Sequence, residues 1–121
     1  MTPTSTIYIS LDYLIKISGG DTAFQKELIG IYLCESQIDL QKSKTYLEQA
    51  DWNRLAKMVH KMKSSTRMFC YDFVEELLIE VEYLLLNIHR ADLANTIAKV
   101  DALLQMVEQV RTQLQQVEIL D

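Results

Sequence analysis

Residues 52–88 read WNRLAKMVHKMKSSTRMFCYDFVEELLIEVEYLLLNI, and the stretch contains neither glycine nor proline. Leu55, Val59, Met62, Thr66 and Phe69 recur at steps of three and four, the spacing of one helix face. Val74, Leu77, Leu78, Val81, Leu84, Leu85 and Ile88 repeat the pattern beyond Tyr71. The spacing predicts two amphipathic helices, one over 52–69 and one from about Asp72. The connection is short, so they must run antiparallel and bury their stripes against each other.

The rest of the chain follows the same rule. From Ile31 to Asp121 there is no glycine or proline, so strand and turn chemistry is scarce. LDYLIKI predicts a short helix from Leu11 to Ile17, stopped by Gly19-Gly20. Asp21 and Thr22 are candidate caps for a second helix over about Ala23 to Ala50, with Gln25 placed as in a capping box. Gly30, costly inside a helix, is expected to mark a close helix contact. Asp51 caps the third helix, and Asp92 caps a last helix with a buried stripe of Leu93, Ile97, Val100, Leu104, Val107 and Leu114. The expected fold is all-α: an antiparallel up-down four-helix bundle with an additional short N-terminal helix over one end. It forms a single domain over 1–121 with a core of about 11–114, a size that buries a core without staples.

Composition excludes several functions. A formal net charge of -5 is wrong for a nucleic-acid binder, which must neutralise phosphates. The N-terminus MTPTSTIYIS lacks a basic segment and an apolar core, so no signal peptide is expected. Met1 favours a free-standing chain. The longest uncharged apolar run, Leu28 to Cys34, is far below the ~20 residues that span a bilayer. Cys34 and Cys70 match no metal spacing and are expected as buried free thiols in a reducing compartment, the cytoplasm. The polar faces of the long helices suggest a monomer.

The chemistry concentrates on the third helix. His60 lies off the core stripe, and Ala56, Lys57, Lys63 and Ser64 share its face, with Arg67 one turn further. Arg54, Lys57, Lys61, Lys63 and Arg67 are five of the twelve Lys and Arg, and no Asp or Glu occurs between Trp52 and Tyr71. An acidic protein thus carries one local basic surface, centred on His60. Neighbouring cations favour a neutral, nucleophilic imidazole and attract an anionic partner. A solvated basic face with an incidental histidine fits this spacing equally well. The antiparallel register adds one term: the turn lies eleven residues after His60, and Glu82 lies eleven residues beyond it. A carboxylate at that height would accept a hydrogen bond from Nδ1-H and leave Nε2 as the nucleophile.

His60-Lys61-Met62-Lys63-Ser64-Ser65 resembles the phosphorylation motif of histidine-containing phosphotransfer (HPt) domains, with His60 and Lys63 at the family's positions and Ser65 at its small one. ISGGDTAFQKELIGIYL, from Ile17 to Leu33, resembles the family's first loop and second helix. Asp51 and Ala56 fit its third-helix entry, and Glu82 stands where members place an acidic or amide residue. The resemblance runs from about Leu11 to Leu114. Two usual glycines are replaced, by Ser64 and Cys70; the first normally gives a partner's aspartate room.

The resemblance implies a phosphorelay carrier rather than a stand-alone enzyme. His60 is the phosphoacceptor, Lys63 steadies the phosphoryl oxygens, and Glu82 orients the imidazole. Ala56, Lys57, Lys61, Ser64 and Arg67 form the docking face. The partners implied are response-regulator receiver domains and a hybrid histidine kinase. The chain needs no cofactor of its own, because Mg²⁺ rides on the receiver. The rival is a docking or scaffold module of the same fold that transfers nothing. A metal-binding bundle would need Glu-x-x-His pairs, and Lys57 and Leu86 stand three before the two histidines instead. A membrane-surface helix conflicts with the overall charge and the apolar stripe. His89, beside Arg90, reads as a partner for a helix C-terminus.

Overall fold

The computed structural model describes residues 6–119, and the readings placed on Met1 and the four residues after it lie outside them. Five α-helices follow in order: α1 (Asp12–Ser18), α2 (Thr22–Glu48), α3 (Trp52–Thr66), α4 (Asp72–Leu86) and α5 (Leu93–Gln115). A 3-10 turn, Arg67–Phe69, ends α3 three residues earlier than the stripe predicts. The only β pairing among the described residues is an isolated bridge between Ile9 and Cys70.

The four long helices form a ring in which α3 packs on α2 and α4, and α5 on α2 and α4. Short connections leave no other arrangement for neighbours in sequence. Val59, Met62, Val74, Leu78, Val81, Val100, Leu103 and Val107 fill the centre, each no more than 1% exposed.

The joints are built locally. Gly19 and Gly20 take positive φ after α1. Asp21, Asp51 and Asp92 each accept from a backbone N–H three residues on, capping α2, α3 and α5. Between α2 and α3, the Ala50 N–H donates to Leu47 O and the Asp51 N–H to Tyr46 O, a Schellman closure. Ala50 supplies the left-handed residue at φ 53°, a conformation that costs a non-glycine about 1 kcal/mol.

Several expectations are corrected. Gln25 does not complete a capping box; it is buried and donates to Ser18 Oγ, tying α2 to the end of α1. Gly30 faces open space, and a Cβ there would meet nothing within 4 Å, so no close helix contact explains it. Cys34 is exposed, because it lies two residues from both Tyr32 and Ser36, which are buried on the opposite face. Leu93 is half exposed at the first position of α5, and Thr96 takes its place inside. His89 lies three residues past the end of α4, in the turn.

The inner face of α2 is partly polar. Tyr32, Ser36, Asp39 and Ser43 are buried, and each has a partner: Thr66, Arg111, Lys61 and the Asp39 carbonyl respectively. Burial lifts the Tyr32 hydroxyl to about 12, so it stays protonated in its bond with Thr66.

Candidate functional site

His60 projects from the middle of α3 toward α4, with 64% of its side chain exposed. Its core-facing neighbours Val59 and Met62 are fully enclosed, which fixes the helix rotation and turns residue 60 outward. On α4, Leu78, Val81 and Leu85 are buried together, and that burial turns Glu82 toward α3. The Glu82 side chain is only 15% exposed.

The structure brings three of the expected residues together. Glu82 Oε2 lies 2.6 Å from His60 Nδ1, and Glu82 Oε1 accepts from Lys63 Nζ at 2.9 Å. Burial pushes the Glu82 carboxyl up, but the hydrogen bonds from Lys63 and His60 outweigh it and hold the group below the usual carboxylate range. An ionised carboxylate only accepts, so Nδ1 carries the proton and donates. In a neutral ring the lone pair is then on Nε2.

Lys63 thus points at Glu82 before any phosphoryl group arrives, which spacing did not indicate. Lys61 turns the other way, toward α2, where its Nζ donates to Asp39 Oδ1 at 2.9 Å. Arg54 folds back on Asp51 at 3.6 Å. Of the five cations counted on this stretch, only Lys57 and Arg67 lack a carboxylate partner among the described residues. The basic surface is therefore weaker than the count of charges implies.

The expected docking residues divide. Ala56 is buried, yet it floors a hollow of about 230 Å³ beside His60 that Asn53, Lys57, Glu82 and Leu86 wall. Ser64 is exposed on the same helix. Arg67 leaves the group: it sits on the 3-10 turn and lines a separate cleft with Asp12, Tyr13, Cys70 and Glu75. Sequence reasoning missed Asp39 and Leu86. Asp39 had a signal in its seven-residue spacing from Tyr32 on the inner face of α2; Leu86 had one in falling off the apolar stripe of Leu78, Val81 and Leu85.

The Hpt domain profile matches residues 27–113. The chain belongs to the Hpt domain family. Hpt domains act as phosphocarriers in two-component signalling rather than as enzymes, and they meet receiver and kinase domains. No curated protein and no solved structure matches this Hpt chain significantly. Among its described residues, no helix is long and apolar enough to cross a membrane. Nor does any group of three His, Cys, Asp or Glu there stand together to hold a metal ion. Burial, with the nearby Glu75 and Asp72 carboxylates, pushes the Cys70 thiol up to about 12 and so favours its protonated form.

Proposed function

We propose that this Hpt chain is a phosphorelay carrier that takes a phosphoryl group on His60 Nε2 from a receiver aspartate and returns it to another receiver. One observation supports this above the others: an exposed imidazole with Nδ1 held at 2.6 Å by Glu82. The Nε2 lone pair attacks phosphorus in line. The bond from phosphorus to the aspartyl oxygen breaks, and its electron pair leaves on the receiver carboxylate. Nε2 has no proton to lose, so the phosphorylated ring keeps Nδ1-H and gains a positive charge. Glu82 lies against that charge and stabilises it. Lys63 moves from Glu82 to the phosphoryl oxygens. Mg²⁺ and the remaining catalytic groups come from the receiver, and transfer to the second receiver is the same step reversed.

Ser64, exposed on the same helix where the family usually carries glycine, favours the second reading, a docking module without transfer. The deciding measurement is label transfer from phosphorylated receivers to wild type and to His60→Gln. Wild type should acquire acid-labile, base-stable phosphate, and His60→Gln none. Binding without label on wild type, across a panel of receivers, would leave only the docking reading.

A further inference from the structure

The α3 residues that line the hollow beside His60 are Asn53, Ala56 and Lys57, and all of them precede His60 in the chain. Helical side chains lean toward the N-terminus of their helix, so the imidazole lies over the turn that carries Ala56 and Lys57. Its Nδ1 is held by Glu82. Nε2 is the ring nitrogen farther from the backbone, so a phosphoryl group on it continues the same lean. Lys63 stands on the other side, three residues after His60, with its Nζ on Glu82 Oε1. The ring therefore leans away from the lysine of the family motif and toward a different one.

We propose that Lys57 is a second phosphoryl-binding residue, whose ammonium contacts the phosphoryl oxygens on His60 Nε2 from the side of the hollow. The inference rests on the phosphorelay reading and adds a residue to its chemical step. Residues three apart in a helix are separated by about 4.5 Å along the axis, a gap that a lysine's four-carbon stem spans. The two lysines differ in what they give up. Lys63 must leave a carboxylate at 2.9 Å before it can meet the group. Lys57 is exposed and has no carboxylate partner among the described residues, so it gives up only water. Ala56, buried on the floor of the hollow, leaves room that a larger side chain would fill. The one carboxylate there, Glu82, is already held by His60 and Lys63. In the transfer Nε2 gains its bond to phosphorus, and the electron pair of the broken bond leaves on the donor. The phosphoryl oxygens keep their negative charge, and it comes to rest within reach of the Lys57 ammonium.

The test compares Lys57→Gln and Lys57→Arg with Lys42→Gln, which removes the same charge from the exposed side of α2. The donor is phosphoramidate, which needs no docking surface and whose protonated nitrogen leaves as ammonia with the electron pair of the P–N bond. Lys57→Gln should slow labelling of His60 about fivefold, and the gap should narrow in high salt. Lys57→Arg should keep most of the wild-type rate, and Lys42→Gln all of it. Phosphorus NMR on the labelled proteins reads the contact directly. A nearby cation favours the doubly charged phosphoryl group, so its titration should move to higher pH in Lys57→Gln and stay in place in Lys42→Gln. Wild-type labelling by phosphoramidate with a loss confined to phosphorylated receivers would make Lys57 a docking residue and overturn the proposal. So would an unmoved phosphoryl titration, or an equal fall in Lys42→Gln. Wild type that takes label from phosphoramidate but from no receiver refutes the relay reading alone, since the contact is still read on the labelled protein. Wild type that takes no label on His60 from either donor overturns both.

Discussion

Two carboxylates flank α3, one from each neighbouring helix, and each holds a lysine of α3 at 2.9 Å. Asp39 of α2 takes Lys61, and Glu82 of α4 takes Lys63. The two pairs differ in what else the carboxylate touches. The Asp39 side chain is 4% exposed and has Lys61 as its only charged partner among the described residues. Glu82 is more open, and its second oxygen meets His60. The first arrangement is a tether between α2 and α3. The second places a negative charge where a phosphorylated imidazole would become positive. Equal distances therefore do not mean equal roles; the second oxygen separates them.

Lysine removal gives the largest test of this difference. Lys61→Ala strands a buried carboxylate and should cost about 2 kcal/mol in denaturant unfolding. Lys63→Ala leaves Glu82 its bond to His60 and should cost under about 1 kcal/mol. The reverse order would break the comparison. Phosphotransfer should rank the same variants oppositely: Lys63→Ala slows transfer from a receiver about tenfold, and Lys61→Ala leaves it near wild type. An unchanged rate for Lys63→Ala would remove that lysine from the proposed step.

The smallest effect is on pH. The Glu82 carboxyl lies below its ordinary value when folded, so its contribution to stability is complete above the unfolded value of about 4.3. That contribution is lost as pH falls through the lower folded value. Glu82→Gln keeps an acceptor for Nδ1-H but no charge. Its melting temperature should lie below wild type at pH 7, and the gap should close as melts are taken down toward pH 3. A gap that persists there would mean that shape, not charge, sets the interaction.

Much of this molecule is legible in one dimension. The repeat of Leu55, Val59 and Met62, then Val74, Leu78 and Val81, is a helical period that any core would have to bury, so the bundle follows from it. Three aspartates at helix starts act through hydrogen bonds three residues away, which sequence displays directly. The height of Glu82 opposite His60 follows from counting outward from Tyr71, because antiparallel helices of equal rise keep register near their turn.

What required the tertiary structure is direction. A lysine on a flexible four-carbon stem goes to whichever carboxylate a neighbouring helix presents, and neither Lys61 nor Lys63 names its partner in sequence. Cys34, Gly30 and Leu93 face solvent because the rotation of a helix is set by all its contacts together, not by one residue's hydropathy. Leu86 differs: it falls off the apolar stripe of α4 and reads as surface in sequence, and only its place beside His60 is decided by the packing of α4 on α3. Local periodicity therefore determined which residues share a helix face, while the packing of α2 and α4 on either side of α3 decided which of those faces meet and which stay open.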